Sequence, residues 1–417
     1  MISMRVFLIL ISLSPFLSAN EWPQLLGPNR NAYIEDPDFK GNVNLSELWS
    51  HPAGEGFGST AVSNNRVYIL DRENDEEDVI KCLELMTGKL IWQYKYSSPA
   101  RFGFNGSRSV PSVDDKNVYA IGVLGHVSCL DKLSGKLKWQ RNLAKDWGAV
   151  APPWGFGSSP LIYNNMCIVA PLSESTGIVA LNAESGKTVW QSKPFGTAPG
   201  YSSPVHHEML GKDMIIQMSG DAIAACEPET GSELWRWEGY SVKRAIPAPT
   251  KISNSKLFIT GGYESGSVML NLEEKSGKII PTVDFSIEKK GSQIHVPILK
   301  DNYLYANFNE NDNLKKRAEK QGLTCLDLNG KILWKTGEEP NLDRGNIIMV
   351  NKWIIALEGL KGELIISEAN PGAYKEVYRK KVLEGKGGNI WAPIAYSKGL
   401  IIIRDQNEIK CFKLYNR

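Results

Sequence analysis

Charge of one sign is missing from this chain. Its 48 Lys and Arg stand against 46 Asp and Glu, a net charge of +2, with no long basic run. Nucleic-acid surfaces demand a basic face, so that partner class has no support. Long apolar runs are missing as well: after the first 20 residues none approaches the roughly 18 needed for a spanning helix. Among six cysteines no two are adjacent, the nearest being Cys129 and Cys167, 38 residues apart, and no Cys-x-x-Cys-His haem signal occurs. Only five histidines are present, and His207-Glu208-Met209-Leu210-Gly211 has Gly where a zinc-protease motif needs its second His. His206 and His207, as neighbours on a strand, point to opposite faces, which removes a shared metal. No Gly-x-Ser-x-Gly elbow is found, so a hydrolase nucleophile has no seat.

What is present is a repeated phrase, in which a turn Gly is followed four residues later by Trp. It reads Thr87-Gly88-Lys89-Leu90-Ile91-Trp92, and again around Gly135 and Trp139, Gly186 and Trp190, Gly231 and Trp235, and Gly330 and Trp334. The first four Trp residues are spaced by 47, 51 and 45, a period that fits a blade of four short antiparallel strands. The Gly suits a tight hairpin and the Trp fills the wide outer gap between wedge-shaped sheets. Small residues return about 30 positions before each Gly, at Gly58-Ser59-Thr60-Ala61, Ser109-Val110-Pro111, Ser158-Ser159-Pro160 and Ser202-Ser203-Pro204. They suit the crowded inner strand.

Four clean units run over 58–96, 107–143, 156–195 and 201–240. A fifth, about 245–285, has Pro281 where the Trp is expected, and a sixth, about 293–337, carries a polar insertion from Asn309 to Gln321. A seventh, about 345–383, turns at Asn370-Pro371-Gly372, and the last, 391–414, has three strands. Leu45 to Trp49 supplies the missing outer strand from the other end of the chain, closing the ring without an open edge. The predicted fold is all-β: an eight-bladed propeller of four-stranded antiparallel blades, closed by an N-terminal strand joining the C-terminal blade, with seven blades as the alternative. Trp49, Trp92, Trp139, Trp190, Trp235 and Trp334 are its blade-docking residues.

Residues 1–19 read as a secretory signal: Arg5, an apolar run from Val6 to Leu13, then Pro15 and small residues at Ser18-Ala19. Residues 20–44 form an N-terminal arm and 45–417 the propeller. The mature chain is expected to be exported, periplasmic or extracellular, and monomeric. Cys82 and Cys129 each stand six residues before a motif Gly. Equivalent positions in separate blades lie too far apart to bridge, so buried free thiols are expected. The acidic run from Asp71 to Asp78 reads as a solvated loop tip, since a calcium loop would need Gly at its sixth position.

These phrases resemble the pyrrolo-quinoline quinone (PQQ)-like propeller repeat, with its Thr-Gly-Lys turn and docking Trp. The start, Trp22-Pro23-Gln24-Leu25-Leu26-Gly27-Pro28-Asn29-Arg30-Asn31, looks like the mature N-terminus of exported PQQ-like propellers. Gly54-Glu55-Gly56-Phe57-Gly58-Ser59 is similar to the phrase that opens their first blade. None of the docking Trp residues is followed by Asp, which sets the WD40 pattern aside. The resemblance implies one of two activities. Quinoprotein alcohol dehydrogenases hold PQQ and calcium in the central funnel, whereas the BamB-type envelope propeller has no cofactor and serves as a scaffold.

PQQ chemistry needs an acidic base, oxygen ligands for calcium and flat walls around the quinone. Many such enzymes stack a ring of two adjacent cysteines on the quinone, and this chain has no such pair. The leading expectation is therefore a non-catalytic scaffold binding protein or glycan in the cell envelope, with no catalytic residue, metal or cofactor. The alternative is an oxidoreductase with PQQ and calcium, and a polysaccharide hydrolase or lyase ranks last for want of an acid/base pair. Residues just ahead of each inner strand face the axis or its mouth: Arg108, Trp154, Tyr201, Arg244, His295, Arg344 and Trp391. They are the candidate ligand-binding set, and an Arg-rich mouth favours an anionic or carbohydrate-like ligand. The competing reading is a plug in which these residues bond to one another.

Overall fold

The computed structural model describes residues 21–196, 198, 200–309, 321–337, 339–385 and 389–416. The signal segment and most of the 309–321 insertion lie outside these residues. Eight antiparallel sheets follow one another around a central axis, so the ring has eight blades, and seven is ruled out. Blade 1 holds strands Thr60–Ser63, Arg66–Glu73, Glu77–Glu84 and Leu90–Ser97 in spatial sequence. Blades 2 to 6 repeat this meander. The eighth blade consists of Ala395–Ser397, Leu400–Arg404 and Glu408–Lys413, with the N-terminal strand Ser46–Pro52 as its outermost member. That strand closes the ring, as the lone Trp49 phrase predicts.

The sequence phrase works across blades rather than within one. Gly88, Gly135, Gly186 and Gly231 have φ of +67 to +71°, and a Cβ at each would lie 2.4–2.6 Å from the preceding blade's Trp ring. Those rings are Trp49, Trp92, Trp139 and Trp190 in turn. Glycine is needed twice there, for the left-handed turn and for the ring that covers it. The indole N–H then donates to the same hairpin: Trp49 to Leu85 O at 2.8 Å, Trp139 to Ala183 O at 2.9 Å and Trp190 to Pro228 O at 2.8 Å. Inner strands such as Thr60–Ser63 are wholly buried, while the outer Leu90–Ser97 buries Trp92 and exposes Leu90 and Ile91.

Blade 5 corrects the expectation built on Pro281. Its last two strands, Gly266–Lys275 and Lys278–Ile287, are ten residues each, longer than in its neighbours. Phe285 stands opposite Met269 at the bulge, and its ring covers Gly330, whose Cβ would lie 2.5 Å from Cε2. Phe285, not Pro281, is the docking residue. Trp235 has no glycine beneath the next hairpin, since nothing lies within 4 Å of a Cβ at Gly277. It packs instead with Leu257, Leu270 and Ile279 between blades 4 and 5, and its N–H points at Met214 Sδ, 3.4 Å away. Trp334 donates to Asn370 O at 2.8 Å, so the Asn370-Pro371-Gly372 turn takes the Gly-Lys place in blade 7.

The acidic run is solvated only at its middle, the turn around Asn74 and Glu76; its ends, Asp71 and Asp78, are buried. Asp78 pairs with Arg72 at 3.0 Å and Asp71 with Lys81 at 2.7 Å, with all four side chains buried or nearly so. Arg72 also donates to Asp75 O and Ser98 O, and Asp71 accepts from the Gly54 backbone N–H. The charges neutralise each other inside blade 1, which composition alone does not reveal. All six cysteines are free and buried.

The arm crosses one face of the disc and closes the axis. It starts on blade 1, where Trp22 and Val62 exchange backbone bonds of 3.0 and 2.7 Å, and touches blade 2 through Pro23 O and Val113 N. It reaches blade 7, where Tyr33–Ile34 adds a parallel fifth strand beside Met349–Val350. Asp36, fully buried, then accepts from Tyr396 and Tyr415 at 2.5 and 2.9 Å.

Candidate functional site

On the face opposite the arm, the ring opens into a funnel of about 360 Å³, lined by all seven residues singled out from the sequence. They converge because each sits a few residues ahead of an inner strand, where consecutive blades crowd toward the axis. Three further contacts hold the wall together near the axis. Val110 N–H donates to Ser159 Oγ and Ser159 N–H to Ser203 Oγ, each at 2.8 Å, while Ile394 N–H donates to Asn346 Oδ1 at 2.8 Å. The Ser-Ser-Pro phrases therefore tie blade to blade.

One side of the wall is aromatic. Phe57 stacks on Trp391 with centroids 5.3 Å apart, Phe104 meets Trp391 at 5.6 Å and Trp154 at 5.3 Å, and Trp154 stacks on Tyr201 at 5.7 Å. The belt runs continuously from blade 8 to blade 4. Tyr201 Oη accepts from the Trp154 backbone N–H at 3.1 Å. Gly157 lets the wall close, since a Cβ there would come within 2.9 Å of Arg108 and 3.0 Å of Tyr201.

Cations lie over this belt. Arg108 lies 4.9 Å over Phe57, Arg244 5.3 Å over Trp154 and Arg344 5.2 Å over Trp391, so each guanidinium covers a ring face. Arg108 donates to the carbonyls of Gly106 (2.8 Å), Trp154 (2.7 Å) and Phe104. Burial pulls its pKa down to about 10, so it remains a cation. Arg344 Nε donates to Gln293 Oε1 at 2.7 Å. Arg244 gives one bond, to Lys243 O at 2.7 Å, and its Nε is buried without a partner. Lys243 reaches over Tyr263, 5.5 Å from the centroid.

His295 is committed to the wall. Its Nε2–H donates to Arg344 O at 3.2 Å and its Nδ1 accepts from Asn346 Nδ2 at 2.8 Å, a pattern only the neutral ring satisfies. Desolvation drives its pKa down to about 4. It is a brace between blades 6 and 7, with no nitrogen left for a metal or a proton transfer.

Arg30 floors the funnel, and nothing periodic in the arm announces it. It is 6% exposed and donates to Pro204 O at 2.8 Å, to Pro160 O and to Gln24 Oε1 at 2.9 Å. Burial pulls its pKa down to about 9, leaving it charged at neutral pH. Arg30 also lines a second cavity of about 530 Å³ under the arm, so it stands between the two. Phe57 stands just ahead of the inner strand of blade 1, as Arg108 does in blade 2. Phe104, Lys243 and Tyr263 lie in loops with no register to mark them.

No Asp or Glu among the described residues lines the funnel, although Asp343 Oδ2 accepts from the lining Trp391 Nε1–H at 3.3 Å. Among the described residues no cluster of three or more His, Cys, Asp and Glu is placed to hold a metal. The donor set therefore does not fit a calcium–quinone centre, which calls for carboxylate oxygens and an acidic base, although the cations suit an anionic ring.

A closed ring of eight blades with an arm-floored, cationic and aromatic funnel defines a propeller of the PQQ-like repeat class. The family model described as "Outer membrane protein assembly factor BamB" matches residues 44–143 and 76–336, and the chain belongs to that PQQ-like propeller family. It is 26% identical over 185 residues to the outer membrane protein assembly factor BamB of Moranella endobia, covering 43% of this chain and 42% of that protein. It is also 26% identical over 153 residues to the quinoprotein alcohol dehydrogenase PedH of Pseudomonas putida, covering 35% of this chain and 24% of that enzyme. The matches thus span less than half of either relative. Among solved structures, BamB from Moraxella catarrhalis superposes with a TM-score of 0.62 at 15% identity, over 90% of this chain and 99% of that one. A europium-containing methanol dehydrogenase gives 0.67 at 12% identity, over 95% and 98%. Identities this low carry the fold alone.

Proposed function

We propose that the protein is a non-catalytic binding scaffold of the cell envelope, exported to the periplasm or beyond, that engages a protein or glycan through its funnel mouth. The observation that carries this reading is the funnel's composition: five cations, Arg30 at the floor among them, and an aromatic belt, with no carboxylate among the described lining residues to act as base or metal ligand. The relation to BamB supports an envelope setting and protein partners. Among the described residues, no helix is long and apolar enough to cross a membrane.

A quinoprotein-type oxidoreductase is the second reading, favoured by the flat cationic walls and the matched dehydrogenases. The two separate in one titration of the purified protein with PQQ and calcium, read by tryptophan quenching and by reduction of a redox dye with ethanol or glucose. The scaffold reading expects no calcium-dependent quenching and no dye reduction. Turnover of either substrate overturns it.

A further inference from the structure

We infer that the funnel is a blind, end-on site for an acidic sugar, a uronate at the terminus of a glycan chain; this rests on the scaffold reading and names its ligand. The first observation is that the axis is closed. Arg30 fills it with bonds to the carbonyls of blades 3 and 4, and Leu25 and Leu26 complete the floor. A linear chain can enter from the open face but cannot thread through. A volume of about 360 Å³, at the lower end of small-molecule sites, admits a chain end and excludes a folded segment of protein.

The second observation is uncompensated positive charge. Arg108 has its donors on backbone carbonyls, Arg244 keeps a buried Nε without a partner, and among the described residues no carboxylate lines the wall to neutralise either. An anion neutralises both, and the planar guanidinium pairs bidentately with a carboxylate as it does with a phosphate. The third is the pairing of rings and cations along one wall. Arg344 lies over Trp391 and Arg244 over Trp154, while Phe57 and Tyr201 stack on the same two rings, so the belt offers ring edges and Phe104 beside the cations. A pyranose ring offers the matching body: C–H groups against those edges and a carboxylate projecting toward the guanidinium groups. Gln293 lines the same wall beside Arg344, a polar but uncharged neighbour for ring hydroxyls.

The test uses trigalacturonate, its fully methyl-esterified form and longer oligogalacturonates with the full mature chain, read by tryptophan fluorescence and calorimetry. Trigalacturonate is expected to bind one per chain, with affinity that does not rise with oligomer length. The ester is expected to bind at least about tenfold more weakly, the loss of one charge-assisted contact. Lys243→Ala, at an exposed position, and Arg244→Ala should each lower affinity by about fivefold or more with an unchanged melting temperature. Equal binding of acid and ester, affinity that climbs with length, or no binding at all overturns the acidic-sugar site and leaves the scaffold reading intact. Binding followed by cleavage or oxidation of the sugar instead overturns the scaffold reading and leaves the ligand assignment standing.

Discussion

Blades 1 to 4 and blades 5 to 7 solve the same packing problem in different ways. On the first side each interface is a Trp laid on the next blade's turn glycine, with the indole N–H closing on a hairpin carbonyl. On the second, Phe285 replaces Trp, Gly277 stands uncovered, and an Asn-Pro-Gly turn receives Trp334. The ring tolerates this because a propeller needs a filled outer gap and a short inner strand, not a particular residue. The two sides also differ at the axis. The regular blades, joined by Trp391 of blade 8, give the funnel its aromatic belt. The irregular ones bring Lys243, Arg244, Gln293 and Arg344, with Arg108 the exception on blade 2.

The largest expected difference between the sides is in the docking rings themselves. Trp139→Ala empties a buried gap and removes the 2.9 Å bond to Ala183 O, which keeps those from Tyr119 and Cys129, at a cost of about 3–5 kcal/mol. Phe285→Ala, at a half-buried ring with no hydrogen bond to lose, should cost about 1–2 kcal/mol. Urea unfolding followed by far-UV circular dichroism measures both. Equal losses would mean that the irregular interfaces are as tightly determined as the regular ones.

A second contrast isolates the role of glycine. Gly186 and Gly277 both have positive φ, +67 and +76°, but only at Gly186 would a Cβ meet a ring, Trp139, at 2.6 Å. Gly277→Ala therefore bears only the left-handed backbone penalty, about 1–2 kcal/mol. Gly186→Ala adds overpacking and should reach about 2–4 kcal/mol. Thermal melts of the two variants side by side decide it, and a Gly277→Ala variant as unstable as Gly186→Ala would contradict the open turn.

Much of this architecture is legible in the chain because the phrase recurs with a period that only a blade satisfies. What stays hidden is which Gly meets which Trp, since both members appear in one phrase while the contact is made between neighbouring phrases. Phe285 escapes because the lengthened hairpin moves the docking position to eight residues after Gly277 instead of four. The funnel wall is readable wherever a Ser-Pro phrase fixes the register, as for Arg108, Trp154 and Tyr201. Arg30 is not readable: its partners are carbonyls of Pro160 and Pro204, far along the chain and silent in composition. The Asp71–Asp78 run misleads for a related reason, because acidic residues signal solvent only when no buried Arg72 or Lys81 faces them.

The smallest effect is acid sensitivity, with His295 set against His126; His207, on blade 4, is also lowered to about 4 by desolvation, so both sides carry such a group. His295, on the irregular side, has its folded-state pKa lowered from 6.5 to about 4 by desolvation. A depressed value means that its contribution is fully present above the unfolded pKa and is lost as pH falls toward the folded one. The window thus runs from about pH 6.5 down to about 4, and at pH 5.5 the loss is about 1 kcal/mol. His126, on blade 2, is also lowered by desolvation but stands at a half-buried position, so its share is less. Melting temperatures of the parent, His295→Asn and His126→Asn at pH 7 and pH 5.5 measure the difference. His295→Asn should flatten the acid-induced drop more than His126→Asn does, even if it lowers stability at pH 7. Parallel pH slopes for all three would place the acid-labile brace elsewhere and remove His295 as the group that joins blades 6 and 7 in its neutral form.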